Sequence, residues 1–478
     1  MVDSRPRRAA ARAAAKHISE QMSLITKRKR EAEKPKTTAT RKAVKPKIEV
    51  VKPPKKKLKQ QKVSYEVFVI GDGLEVDVTL PKGLEADDDQ AHLNPWRIET
   101  LSGIEVNSIS AGAVHALLVS TDKQLYSWGI NDDCAVGHNW SPKLENPEND
   151  DNNFVVKTST GIVSAFKNVQ GEIIEDVEIV QACAGDQHSI ALDSHGRVFT
   201  WGTYKDASGK LIYSDGVEKQ PWPQQVVELE GKEIVQVVAG KSFDLSLDSD
   251  GHVFEWGFSL ETTGADKLIP RPIFGFDGKV KAIFAGFDTR WAITEQDHVF
   301  VWGLVSSGQG ALTDDERKDS GSGVSRDHLS APCFVSSLSG KGLKKISTGS
   351  RHSLALDESN NLWTWGMNEL GQIGLPENKD SRGHKFAPEI HAQFQGNVLD
   401  IVTGEQHSVV IKIDGSVWGF GSCSGYQLGY LPDNQGDRLW EVFNPVRLFS
   451  NSTAHLNWTA YALAADSAFT LIAMKDIQ

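Results

Sequence analysis

Cysteine is scarce in this chain. Its 478 residues hold Cys134, Cys183, Cys333 and Cys423, far apart and never in a CxxC pair. That spacing supports neither a zinc knuckle nor a thiol redox motif, and it predicts reduced thiols in a cytosolic or nuclear compartment. No apolar run approaches the ~20 residues of a membrane span, and no secretory leader is recognisable, so no membrane partner is expected. Catalytic signatures are missing as well. There is no Gly-rich phosphate loop, no HExxH and no GxSxG. Bond chemistry, a cofactor and a metal site are therefore not expected.

Charge is unevenly spread. The first 62 residues carry 21 Lys and Arg against 5 Asp and Glu, a net of +16, which leaves −27 on the rest of a chain whose formal net charge is −11. This arm is rich in Lys, Arg, Ala and Pro and almost devoid of aromatics. It cannot bury enough apolar area to offset its ordering entropy, so residues 1–63 read as a disordered basic arm. Arg8 to Lys16 has high helix propensity, suited to forming helix on a partner. Two clusters, Lys27-Arg28-Lys29-Arg30 and Lys55-Lys56-Lys57, read as nuclear import signals or nucleic-acid contacts. A solubilising tail and a mitochondrial presequence are the alternatives.

What the remainder has is a repeat. A glycine is followed 17 residues later by the glycine of an aromatic-Gly pair six times: Gly112/Gly129, Gly185/Gly202, Gly240/Gly257, Gly286/Gly303, Gly349/Gly366 and Gly404/Gly421. Ala184 to Gly202, AGDQHSIALDSHGRVFTWG, shows the unit: two apolar strands about the turn Asp193-Ser194-His195-Gly196. A seventh unit is split. Val67 to Gly71 resembles the second strand of the hairpin, and Ala464 to Leu471 resembles the first. Repeats of this kind indicate a propeller or solenoid, and a unit divided between the two ends closes a ring and removes exposed sheet edges. The expected fold is all-β, a seven-bladed β-propeller over residues 64–478, closed by pairing of N- and C-terminal strands.

The hairpin also sets geometry. Each first strand starts, and each second strand ends, on one side of the disc, the start face; the turns lie on the other, the tip face. Asp186, Asp132 and Lys205 fall on the start face. The connections vary from 29 residues (Gly257 to Gly286) to 56 (Gly129 to Gly185). The excess covers about Asn139 to Gly171 and is partly acidic; Asp314 to Asp327 reads as a second, flexible insertion. His115, His188, His352 and His407 share one frame. Spread round a ring, they are no metal cluster, and a bracing hydrogen bond in each blade is their plain structural reading. The tryptophans before the glycines read as packing between blades.

The units AGDQHSIALDSHGRVFTWG, TGSRHSLALDESNNLWTWGMNELGQIG and TGEQHSVVIKIDGSVWGFGSCSGYQLG resemble those of the regulator of chromosome condensation family, over about Tyr65 to Met474. The resemblance implies a seven-bladed propeller. A single propeller behind a basic arm, and the segment WGTYKDASGKLI (Trp201 to Ile212), are most similar to the branch that exchanges guanine nucleotide on the nuclear GTPase Ran. On that footing Asp132, Asp186, His352 and Lys205 match GTPase-facing positions, with Arg351 one place from His352. The insertion Asn139–Gly171 would be a wedge against the GTPase or an acidic loop. The implied partners are a Ran-type GTPase, chromatin through DNA and possibly histones, and an import receptor, in the nucleus. A propeller scaffold without exchange activity is the alternative. Departures are Asp466-Ser467-Ala468 in the last repeat, AGKSF and AGFDT without histidine, Lys205 where the branch often carries Arg, and degenerate GQLG-like loops in the second and fourth complete repeats.

Overall fold

A computed structural model describes residues 63–71, 95–138, 157–258, 265–313, 315–316, 327–376, 384–429, 440–448 and 458–477. The chain divides into two units, Met1–Gln60 and Gln61–Gln478. The arm with Lys27 to Arg30 and Lys55 to Lys57 lies outside the described residues, as does Asn139 to Val156 of the longest insertion.

The hairpin forms where the repeat places it, and blade 2 shows why. His188–Asp193 pairs with Val198–Gly202 from His188↔Gly202 to Leu192↔Val198. Asp193 makes the turn: its carboxylate accepts from the backbone N–H groups of His195 and Arg197, both at 2.9 Å, and from Arg197 Nε at 2.6 Å. Asp248 and Asp357 do the same in blades 3 and 5. An Asx turn of this kind sets the reversal, which closes through a left-handed residue: Gly196 at φ +78°, Gly251 at +86° and Asn360 at +61°. Both marker glycines are steric necessities. A Cβ on Gly185 would lie 2.1 Å from His188 Cε1, and Gly202 sits at φ +89° with its missing Cβ 2.4 Å from Gln187 O.

Seven such hairpins each gain an inner and an outer strand, giving seven four-stranded antiparallel blades. In chain order, blade 1 runs from Val106–Ala111 to Lys157–Ile162, blade 2 from Ile179–Ala184 to Gln220–Gln225, and blade 3 from Ile234–Ala239 to Arg271–Ile273. Blades 4, 5 and 6 begin at Val280–Ala285, Leu343–Thr348 and Val398–Thr403. Blade 7 is the split one. Val63–Gly71 pairs with Phe469–Ile477 from Val63↔Ile477 to Gly71↔Phe469, with Trp458–Ala465 inside and Trp96–Arg97 outside. Closure through the two ends, as expected from the sequence, leaves the ring without a seam.

Inner strands surround a central channel whose start-face mouth is a cavity of about 260 Å³. They are stitched across blades by side chains. Gln236 donates to Ile283 O at 2.7 Å and accepts from Ile283 N at 3.0 Å. The apolar core lies between blades, where Trp128, Trp201 and Trp365 are fully buried. The packing role read for the tryptophans holds: Trp201 of blade 2 donates its indole N–H to Ala135 O of blade 1 at 2.7 Å. All four cysteines are free thiols. Among the described residues no helix is long and apolar enough to cross a membrane.

Candidate functional site

Each repeated histidine bridges to the next blade. His115 Nε2 lies 2.7 Å from Ser189 Oγ, His352 Nε2 2.9 Å from Ser408 Oγ, and His407 Nε2 3.0 Å from Thr470 Oγ1. The receiving hydroxyls donate their own proton to a loop carbonyl of the preceding blade: Ser189 to Ala135 O, Ser408 to Gln372 O and Thr470 to Gln427 O, each at 2.8 Å. With that proton spent the hydroxyl can only accept, so each histidine carries its proton on Nε2. Burial pushes His115, His352 and His407 down to about 3, which keeps them neutral.

His352 is thereby corrected. Its ring is fully buried and spent on the brace, so it presents nothing to a partner. Its neighbour Arg351 is exposed on the start face. Resemblance drew the contact to His352; its frame, shared with His115 and His407, had already carried the structural reading.

The other expected positions do lie on the start face. Asp132 is exposed, and its carbonyl accepts from Lys219 Nζ at 2.7 Å. The neighbouring Asp133, which the sequence reading passed over, is held by Gln187 at 2.7 Å and Lys219 at 3.2 Å. Asp186 is half-buried at the channel mouth, 3.4 Å from Lys241 Nζ. Burial raises its carboxyl, and Lys241 opposes that. Asp466 joins it there. Asp466 N donates to Phe469 O as Gly112 N does to His115 O, so the aspartate occupies the place of the marker glycine in blade 7. Its carboxyl is pushed up to about 7, first by burial and then by the negative charge of Asp186, with Glu405 adding to it.

A small hairpin stands beside this mouth. Tyr204–Lys205 pairs with Leu211–Ile212, and Lys205, Ala207, Ser208, Gly209 and Lys210 are exposed at its turn. Asp206 ties the turn, accepting from Ser208 N at 2.9 Å and Lys210 N at 3.0 Å. Ser242 of blade 3 holds the base, accepting from Lys205 N at 2.7 Å and donating to Lys205 O at 2.9 Å. The hairpin, Asp186, Lys241 and Asp288 enclose a cavity of about 250 Å³. Sequence reading noted this segment only as a resemblance. The alternation of Tyr204, Asp206 and a Ser-Gly turn was the signal for a strand pair. Of the described part of the insertion, Lys157–Ile162 is the outer strand of blade 1, and Lys167 beyond it bridges to Gln224 of blade 2. Among the described residues no group of His, Cys, Asp and Glu could hold a metal ion.

The RCC1-like domain family matches residues 66–472, nearly the whole propeller. Protein pim1 of Schizosaccharomyces pombe is 28% identical over 380 residues, covering 75% of this chain and 66% of pim1, just under two thirds of its length. Guanine nucleotide exchange factor SRM1 of Saccharomyces cerevisiae is 27% identical over 399 residues, covering 77% of this chain and 80% of SRM1. The crystal structure of Prp20p from Saccharomyces cerevisiae, a protein studied for its binding to Gsp1p and histones, superposes with a TM-score of 0.69. That match covers 87% of this chain and 92% of Prp20p at 23% identity, and it shows the same fold.

Proposed function

The chain belongs to the RCC1-like domain family, and from that premise we propose that it is a guanine-nucleotide exchange factor for a Ran-type small GTPase, held on chromatin in the nucleus. The observation that carries this is the start face itself: Asp132, Asp186 and Asp466 with an exposed hairpin beside them. Exchange forms and breaks no covalent bond. A protein that binds the nucleotide-free GTPase more tightly than the loaded one speeds release, and by linkage rebound nucleotide expels it. An acidic face suits a basic surface on the GTPase and steers their encounter. Asp132, Asp186, Lys205 and Arg351 are the contact residues in this reading, and the hairpin at Thr203–Ile212, rather than the insertion 139–171, is the element that presses on the nucleotide site.

The test is release of a fluorescent guanine nucleotide from a Ran-type GTPase, followed by stopped flow with the full chain. Acceleration that falls at least tenfold in Asp186→Lys is expected. An unchanged release rate with the wild-type chain overturns the reading. The Asp466 departure favours a second one, a scaffold that holds chromatin without exchange. In that case Asp186→Lys leaves GTPase binding unaffected.

The basic arm is the proposed DNA and import-receptor element, through Lys27 to Arg30 and Lys55 to Lys57. A +16 segment binds phosphate backbone without sequence preference, and each neutralised phosphate releases counterions. Deleting residues 1–62 is expected to remove most DNA binding and nuclear accumulation while exchange stays near normal. DNA binding by the full chain that persists unweakened from 50 to 200 mM salt contradicts this.

A further inference from the structure

The brace between blades 2 and 3 is built differently from the others. At four junctions a hydroxyl of the later blade donates to a loop carbonyl of the earlier one: Ser189 to Ala135, Ser353 to Gln309, Ser408 to Gln372 and Thr470 to Gln427. At two of these an indole of the later blade donates to the same carbonyl, Trp201 to Ala135 and Trp365 to Gln309. After Gly202 the chain turns out into the hairpin, so no loop carbonyl fills that place. The hydroxyl of Tyr204 fills it. It accepts from Trp256 Nε1 at 3.2 Å and donates to Asp244 Oδ2 at 2.5 Å.

Residue 244 stands where four other junctions have serine or threonine, and the difference is functional. The histidine brace needs one acceptor, and Asp244 Oδ1 supplies it to His188 Nε2 at 3.1 Å. Serine suffices for that task at residues 189 and 408. A carboxylate brings a second acceptor, and Tyr204 is what it holds. Both side chains are buried, Asp244 fully and Tyr204 at 2% exposure. A charge-assisted hydrogen bond in that setting is strong, and an unpaired partner is costly. Tyr204 is the first residue of the hairpin strand, and its ring lies 4.3 Å from the His188 ring.

We infer that Tyr204 and Asp244 are positioning residues: their hydrogen bond fixes the root of the Thr203–Ile212 hairpin to blade 3 and sets the attitude in which it meets the GTPase. This rests on the exchange-factor reading. Asp244→Ser is the discriminating variant, because it keeps the brace in the form other blades use and removes only the hold on Tyr204. Tyr204→Phe removes the same bond from the other side.

In full-length protein, amide hydrogen exchange of Lys205 to Ile212 is expected to speed about tenfold or more in both variants, as for one lost charge-assisted bond. Amides of Phe243–Asp248 are expected to keep their protection. The maximal nucleotide-release rate is expected to fall several-fold, with the half-saturating GTPase concentration near that of wild type. The double variant is expected to add little to either single one, since both remove the same bond. Hairpin protection unchanged in both variants overturns the inference, as does a rise in half-saturating concentration with an unchanged maximal rate. Failure of the wild-type chain to speed release removes the exchange reading, while hairpin protection still decides whether the bond anchors the hairpin.

Discussion

Set the junction of blades 5 and 6 beside that of blades 3 and 4. In the first, a neutral histidine, a serine and a carbonyl form a relay: His352 to Ser408 to Gln372 O. In the second the histidine place is Phe243 of blade 3 and the serine place is Arg290 of blade 4. Arg290 binds Asp288 at 2.6 Å and Glu255 at 3.1 Å, lies 3.4 Å over the Phe243 ring, and is 2% exposed. Trp302 donates to Glu255 at 2.7 Å where Trp365 uses a carbonyl. The same slot in the ring is thus filled by neutral donors at one junction and by buried charge at another. At both of these junctions the slot matches donors to acceptors, with different residue types. Neutral relays tolerate the loss of a member far better than charged ones, because a stranded ion costs more than a stranded hydroxyl.

The largest expected effect follows directly. Arg290→Met leaves Asp288 and Glu255 without their buried cation and is expected to cost about 3–5 kcal/mol in chemical denaturation. Ser353→Ala, at a neutral junction, is expected to cost about 1–2 kcal/mol. Equal losses would erase the distinction between the two kinds of junction.

A smaller effect sharpens the comparison through pH. His115, His352 and His407 have folded values depressed to about 3, below the ordinary value of 6.5. Between those limits the unfolded chain binds more protons, so stability is fully present above pH 6.5 and declines as pH falls, by up to about 1.4 kcal/mol per pH unit for each histidine. His352→Phe installs the residue that blade 3 carries at Phe243. It is expected to cost about 1 kcal/mol at pH 8 and to gain on wild type as pH drops to 5. A parallel pH dependence in the two proteins would mean that the His352 ring takes up a proton in the fold.

These junctions also mark where the sequence was legible. The 17-residue spacing, the Asx turns and the split blade are local or periodic signals, and the fold followed from them. The histidine frame pointed to bracing, because four equivalent positions cannot all be special. Arg290 with Glu255 and Tyr204 with Asp244 were not legible, since their partners sit 35 and 40 residues apart, with no repeat to announce them. The wedge was read in the insertion Asn139–Gly171 from its position in the family resemblance, and Asn139 to Val156 of it lies outside the described residues. The hairpin at Thr203–Ile212 adds no conspicuous length, so its exposed turn shows only in three dimensions.

The smallest effect concerns Asp466, which breaks the ring of glycines at the channel mouth. Its carboxyl is raised to about 7 against an unfolded value near 3.9. Between those values the native state holds more protons, so this group's contribution to stability falls as pH rises from about 4 to 7 and levels off above, opposite in sign to the histidines. Asp466→Asn is expected to stabilise the fold at pH 8 by about 1 kcal/mol or less and to leave it nearly unchanged at pH 4. The same titration sets the charge of the start face. Between pH 6 and 8 the mouth gains one negative charge beside Asp186, so association with a basic GTPase surface is expected to quicken over that range at low salt. Asp466→Asn is expected to flatten that rise while leaving the maximal release rate alone, since Asp186 keeps its ion pair with Lys241. An association rate in Asp466→Asn that climbs from pH 6 to 8 as steeply as in wild type would assign the titration to another group and return Asp466 to a purely steric role in the glycine's place.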